Sequence, residues 1–488
     1  MKPPYTERYV RWCERSGDYL SPPPTRLYFL GQDEERIRMM DFSMDKRFEG
    51  VKPLTNRAYL SSPTPHEADE MKYIKECYDT NWLTTAGSNV EAVEQIVSEY
   101  MSVSERKHWA VALVNGTAAI HLAVKLAAER IYGSSTGIST PSGKGAGGCL
   151  FGKRVFVTDM TFDASINPVL YEGGEPVFVD SEDETWNMDP EALRKAFEIY
   201  PDVKIVIFVH LYGVPGKIDV CKRICEEYGA ILIEDAAESL GAYASITDGK
   251  AGSKLSVPTG SIGDYGIISM NGNKILTGSS RGCLLVSDEY GYNKAKKWST
   301  QSREAALWYE HEELGYNYRI SNVIAGIIRG QWEHLDEHIA QKKKVFTQYA
   351  DGFKGMPVTL HAGGNYWLSS LLIDEDAMAD SVRGDRKAFF ATEDGKSSPT
   401  EILEALAAFN AEGRPIWKPM HLQPMYRGNE FVTTAGRSRG NSDAYIEHGK
   451  MAEVTTDIFS RGLCLPSDNK LTEEQAGVIV DVVKRCFR

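Results

Sequence analysis

Seven short apolar runs between residues 109 and 288 constrain this chain more than any other feature. They read WAVALV, RVFVTD, EPVFVD, KIVIFVH, AILIED, GIISM and GCLLVS. Each has the length of a strand, and their near-continuous apolar character asks for cover on both faces. Segments with helical spacing, among them PEALRKAFEIY and DVCKRICEEYG, lie between several of them. Strand and helix in alternation build an α/β fold, a mostly parallel central sheet covered by helices. After residue 320 come a long helix (SNVIAGIIRGQWEHLDEHIAQKKKVFTQYADGF), a strand (NYWLSSLLID) and further helices, enough for a smaller C-terminal α/β domain. Residues 1–55, with Pro22 to Pro24 and the charged stretch GQDEERIRMMD, lack clear periodicity and read as an extension containing a short helix. The expected division is therefore an extension over 1–55, a large domain over 56–325 and a small one over 326–488. Thr64 and Glu67 fit a capping box that opens the large domain. Residues 134–148 and 244–261, rich in Gly, Ser and Thr, read as loops inserted between core elements.

Composition narrows the function. The 55 Lys+Arg against 68 Asp+Glu give a formal net charge of −13, which argues against a protein built to neutralise nucleic acid or anionic membrane. Eight cysteines in 488 residues make no disulfide framework. Cys221 and Cys225 lie four apart on a predicted helix with no second pair at ligand spacing, so no metal is expected. The first twenty residues lack the apolar core of a signal peptide, and no run of 18 apolar residues occurs. The expectation is a reduced, soluble, cytoplasmic protein.

In an open parallel sheet, ligands bind beyond the carboxyl ends of the strands. Four polar clusters fall there. Asn115-Gly116-Thr117 precedes the helix AAIHLAVKLAAER, where free N–H groups can hold a phosphate, although such residues often only cap a helix. Glu234 to Glu238 (EDAAE) ends the run AILIED with carboxylates that need a cation once buried. Ser269 to Lys274 (SMNGNK) follows GIISM and offers a lysine that could serve as an amine nucleophile. Leu314 to Arg319 (LGYNYR) leads into the long helix. A phosphate-binding helix start, a strand-end acid and a downstream lysine together match what pyridoxal 5'-phosphate (PLP) requires.

The segments NGTAAIHLA, DMTFDASINPVLYEGGEPVFVDSEDETWNMDP, IVIFVHLYGVPGKID, ILIEDAAESLGA, SMNGNKILT, ELGYNYRISNVIAGIIRGQ, RPIWKPMHLQP and GLCLPSDNKLTEEQ make the match specific. In this order, from about residue 57 to the C-terminus, they resemble the DegT/DnrJ/EryC1/StrS family of PLP-dependent sugar aminotransferases, which have the fold type I architecture. The resemblance implies that Lys274 is the Schiff-base lysine and proton carrier, and that Asp235 pairs with the pyridine nitrogen. It puts Glu238 beside the ring hydroxyl, gives phosphate contacts to Gly116, Thr117 and Ser269, and stacks Phe162 on the ring. Asn317 corresponds to a residue that reaches the phosphate from the neighbouring subunit, which implies a homodimer with shared active sites. Arg319, His421 and His210 are candidates for substrate or cofactor contact, each with a structural role as the alternative. The implied reaction is ping-pong transfer of the amino group of L-glutamate to the keto carbon, C4, of a nucleotide-linked keto-deoxy sugar. The branch most resembled acts on UDP-4-keto-6-deoxy-N-acetylhexosamines.

Other readings compete. A sugar dehydratase of the same family would carry His in place of Lys274. A catalytically silent sugar-binding protein is kept in view by the extension and the two insertions, which are not typical of the family. A nicotinamide-dependent dehydrogenase lacks its G-x-G-x-x-G signature here. His334 and His338 are expected on a solvated helix face, and Lys342 to Lys344 as a solvated basic stretch.

Overall fold

The computed structural model describes residues 42, 45–133, 148–247, 254–379, 381–384, 387–390, 393–438 and 453–488. All seven apolar runs form strands: β1 (Trp109–Leu113), β2 (Arg154–Thr158), β3 (Glu175–Val179), β4 (Ile205–Val209), β5 (Ile231–Asp235), then β8 (Tyr265–Ser269) and β9 (Gly282–Val286). Between β5 and β8 stand β6 (Tyr243–Thr247) and β7 (Lys254–Pro258), an antiparallel pair. The second expected loop is thus largely a hairpin. Its period-2 pattern of serine and threonine with apolar residues was hidden by the glycines, and 248–253 lie outside the described residues. Residues 134–147 of the other insertion lie outside them too.

The main sheet runs β1-β9-β8-β5-β4-β2-β3 and continues into β15 (Phe431–Thr433) and β16 (Gly436–Ser438). From β8 through β15 neighbouring strands are parallel; β9 is antiparallel to both β8 and β1, and β16 to β15. Helices Gly116–Tyr132, Pro190–Ile199 and Ile218–Glu227 pack on the sheet, whose inner residues are almost fully buried. Cys221 and Cys225 sit in this core, where burial pushes the Cys225 thiol up to about 12. Gly282 shows why β9 can run beside the sheet's ligand-facing end. A Cβ there would lie 2.6 Å from the Gly116 nitrogen, against the turn that opens helix Gly116–Tyr132.

A second sheet, β10 (Val358–His361), β11 (Ser370–Ile373), β17 (Gly462–Cys464) and β14 (Arg414–Pro415), packs on helices Leu335–Gly352, Pro399–Ala408 and Glu473–Arg485. A separate hairpin joins β12 (Ser381–Gly384) to β13 (Lys387–Phe390). Phe42 and Phe48 of the N-terminal segment are buried in the core of this smaller unit, Phe48 stacked 5.4 Å from Phe409. Of the expected extension over 1–55, residues 1–41, 43 and 44 lie outside the described residues, and Lys46–Phe48 forms one short 3-10 turn. Division of the chain at residue 326 needs one correction: residues 431–438 cross back and hydrogen-bond to β3, Phe178 N–H donating to the Glu430 carbonyl at 2.9 Å.

Two local expectations also change. The helix after residue 64 spans Glu67–Asp79, and no capping box forms between Thr64 and Glu67. Thr64 Oγ1 donates to Asn469 instead, while the His66 N–H donates to Glu70 Oε1 at 2.9 Å. The long helix is two helices, Asn322–Trp332 and Leu335–Gly352, broken at Glu333-His334. At the break His334 has φ −110° and ψ 9°, so the helical register does not carry through from one helix to the next.

Candidate active site

β1, β4, β5 and β8 all end at one cavity of about 400 Å³, lined by Asn115, Gly116, Thr117, Phe162, Ser165, Asp235, Glu238, Ser269, Lys274 and Trp417 among others. Alternation along β5 decides what enters it. Asp235 faces the cavity, and the preceding Glu234 points to the opposite side. There Glu234 accepts from the backbone N–H groups of Gly260, Ile262 and Gly263 and sits 2.9 Å from His210 Nε2. Burial alone would raise the Glu234 carboxyl, but these donors hold it below its ordinary value. His210 is fully buried in this pair, with the Gly216 N–H donating to its Nδ1. It is a structural histidine and does not line the cavity.

Asp235 is held by neutral donors, Ser165 Oγ at 2.7 Å and the Ala237 N–H at 3.1 Å. Burial raises its carboxyl, and among the described residues no cation forms an ion pair with it. Lys274 Nζ lies 3.1 Å from Glu238 Oε1 and 4.1 Å from the centroid of the Trp367 ring. Glu238, also raised by burial, accepts from the Tyr212 N–H at 2.7 Å through its other oxygen. At the far end, Asn115 caps helix Gly116–Tyr132 by accepting from Ala118 N–H at 2.7 Å. The N–H groups of Gly116 and Thr117 stand in the first turn, which has no intrahelical acceptor for them. Phe162 is 59% exposed at the rim, so it is no core residue, and its ring lies 5.5 Å from Trp417.

The donor set fits PLP. A buried carboxylate with no ion-pair partner among the described residues would suit a protonated ring nitrogen, a lysine amine lies within the same cavity, and a helix start with free N–H groups would suit a phosphate. Such an amine can attack a carbonyl carbon and carry a proton between neighbouring atoms.

The sequence profile of the DegT/DnrJ/EryC1/StrS aminotransferase family matches residues 65–484. The chain belongs to this family. A Bacillus subtilis protein, EpsN, provisionally named a pyridoxal phosphate-dependent aminotransferase, is 35% identical over 88% of this chain and 96% of its own. A GDP-perosamine synthase of Vibrio cholerae is 27% identical over 86% of this chain and 97% of its own. Among solved structures, that of DesI with its TDP-sugar product superposes with a TM-score of 0.68 at 20% identity, covering 90% of this chain and 95% of DesI, a likeness of fold. This DegT/DnrJ/EryC1/StrS member is a PLP-dependent sugar aminotransferase of fold type I.

Two further candidates stand outside the cavity. Arg319 Nη1 bonds Glu94 Oε1 and donates to the Ala112 carbonyl at 3.2 Å, the Arg319 and Glu94 side chains being 9% and 8% exposed. It fastens β1 to helix Ser88–Met101, so it is a packing residue here. Arg319→Ala leaves Glu94 with Lys296 at 3.4 Å and the Ala112 N–H at 3.0 Å, and is expected to cost about 2 kcal/mol in urea unfolding, with KM for the sugar unchanged. His421 is 2% exposed, 2.6 Å from Asp159 Oδ2 through Nδ1, and stacked 3.9 Å from Phe431. It anchors the segment before β15 and does not line the cavity. Burial would lower its pKa, but the Asp159 carboxylate raises it to about 9. The folded pKa exceeds the unfolded one, so this pair contributes fully below about pH 6.5 and is lost as pH rises through about 9, on the order of 2–3 kcal/mol. Melting temperature is expected to fall over that window, and less steeply in His421→Gln.

The expected solvated face of His334 and His338 is corrected as well. His338 is 1% exposed, and His66 stacks on His334 with centroids 3.4 Å apart and planes 3° apart. Lone pairs in such parallel planes do not converge on one ion. Ser165, Trp367 and Trp417 were missed, although Ser165 and Trp417 stand inside the family segments DMTFDAS and RPIWKPMHLQP.

Proposed function

We propose that this aminotransferase moves the amino group of L-glutamate to C4 of a nucleotide-linked 4-keto-6-deoxy sugar, with UDP-4-keto-6-deoxy-N-acetylglucosamine as substrate. The observation that carries the chemistry is the convergence of Lys274, Glu238 and Asp235 in one cavity. PLP, when bound, supplies an aldehyde carbon and a ring that accepts the electron pair released as the substrate C–H bond breaks. Lys274 Nζ would anchor that carbon when the cofactor is bound and, once displaced by an amino donor, would carry the proton from the substrate carbon to the cofactor carbon on the far side of the linking nitrogen. Asp235 would keep the ring nitrogen protonated. Glu238 orients the Lys274 amine and would bond the ring hydroxyl. Gly116, Thr117 and Ser269 would hold the phosphate, and Phe162 at the rim would cover the ring.

The active site is shared in a homodimer. Asn317 is exposed on its own subunit and absent from the lining of its own cavity, which supports a role in the partner's phosphate site. The exposed Leu307, Trp308 and Tyr309 just before it offer apolar surface for that contact. No helix among the described residues is long and apolar enough to cross a membrane, and a cytoplasmic location fits the soluble substrates.

The sugar follows the resemblance of SMNGNKILT, EDAAES and RPIWKPMHLQP. A GDP-linked keto sugar is the second reading, favoured by the relative named GDP-perosamine synthase. Purified protein is assayed with L-glutamate and each nucleotide sugar, and NMR fixes the position of the new amine. A 4-amino product from the UDP sugar is expected. Turnover of the GDP sugar alone would replace the substrate, and turnover of neither would overturn the reading.

A further inference from the structure

Lys342 was expected in solvent, yet it is the one buried residue of the basic triplet, at 2% exposure beside exposed Lys343 and Lys344. Its Nζ donates to three oxygens: the Ser467 carbonyl at 2.7 Å, the Trp367 carbonyl at 3.1 Å and Ser61 Oγ at 3.2 Å. An ammonium has three N–H donors, and each finds an acceptor here. Burial lowers this amine to about 7, against the pull of the Asp468 carboxylate. Placing a lysine at such a point is costly, and packing alone would be served by an apolar side chain.

Two of its three acceptors lead to the Lys274 loop. Ser61 Oγ donates onward to the Asn273 carbonyl at 2.9 Å, and Trp367 Nε1 donates to the same carbonyl at 2.7 Å. The Trp367 indole also lies against Lys274 Nζ. One turn earlier on the same helix, His338 Nδ1 donates to the Ile275 carbonyl at 3.0 Å. The carbonyls before and after Lys274 are therefore both fixed from helix Leu335–Gly352.

We propose that Lys342 is a positioning residue for Lys274: it anchors Ser61 and Trp367, which fix the Asn273 carbonyl and the indole against the reactive amine. The inference rests on Lys274 being the covalent anchor for PLP. Lys342 itself acts only through these neighbours.

The test follows capture of PLP by cofactor-free protein, read as growth of the visible absorbance band, alongside steady-state kinetics and thermal unfolding. Lys342→Met keeps the chain length and removes the donors. It is expected to capture PLP about tenfold more slowly and to lose about tenfold in kcat, with KM for L-glutamate within about twofold of wild type. Ser61→Ala cuts one link and takes one acceptor from the buried amine; capture is expected to slow about threefold, with a melting temperature lowered less than in Lys342→Met. A Lys342→Met protein that melts earlier but captures PLP at the wild-type rate overturns the proposal. Should that variant not fold, wild-type capture by Ser61→Ala overturns it. A wild-type protein that never develops the band defeats the reading of Lys274 itself. A normal wild-type band with unaffected variants defeats only the role of Lys342.

Discussion

Lys274→Ala is expected to lower turnover by about 10⁴-fold or more and to abolish the visible band on PLP addition, because the anchor and the proton carrier are lost together. Its amine sits between Glu238 and the Trp367 ring, 12% exposed, and among the described residues no other lysine lines the cavity. The fold is expected to tolerate the change. Glu238 keeps the Tyr212 N–H as a donor, and its carboxyl, already raised by burial, can take a proton when the ammonium is gone. The measurements are absorbance after PLP addition and dialysis, turnover, and circular dichroism. A variant that keeps the band, or more than a small fraction of the rate, would remove Lys274 from the chemistry.

Asp235→Asn is expected to separate function from stability. The carboxylate is buried among neutral donors with no ion-pair partner among the described residues, so the amide should leave thermal stability unchanged or raise it by about 1 kcal/mol. Turnover is expected to fall by about 10²–10³-fold, since an amide cannot hold a proton on the ring nitrogen. Ser165 Oγ, which also bonds Thr161 Oγ1 at 2.8 Å, can rotate to accept from the new amide, so the cavity keeps its shape. A structural aspartate would give the reverse pattern, with lost stability and preserved rate.

The strands were legible because near-continuous apolar runs of strand length, spaced by amphipathic helices, admit few other packings. Lys274, Asp235 and Glu238 were legible because each lies at or within four residues of the end of such a run, inside segments that resemble the family's. His210, Arg319 and His421 were not, because the partner that fixes each side chain, Glu234, Glu94 or Asp159, is remote in sequence. A motif says that a residue is present but not which way it points. Lys342 and His338 escaped for the same reason. Four apart, they share a face on any helix, but the groups that face meets, Ser61, Trp367 and Ile275, are remote in sequence.

The return of residues 431–438 to β3 bears on how the chain is made. During synthesis β3 emerges with one edge bare, and its pairing partner leaves the ribosome only after most of the second unit has been translated. Until then an apolar strand presents unpaired backbone groups to any nascent neighbour, the condition under which chains associate edge to edge. A version shortened before residue 431 would keep that edge open permanently. Its yield of soluble product should suffer even though every group lining the cavity is still encoded.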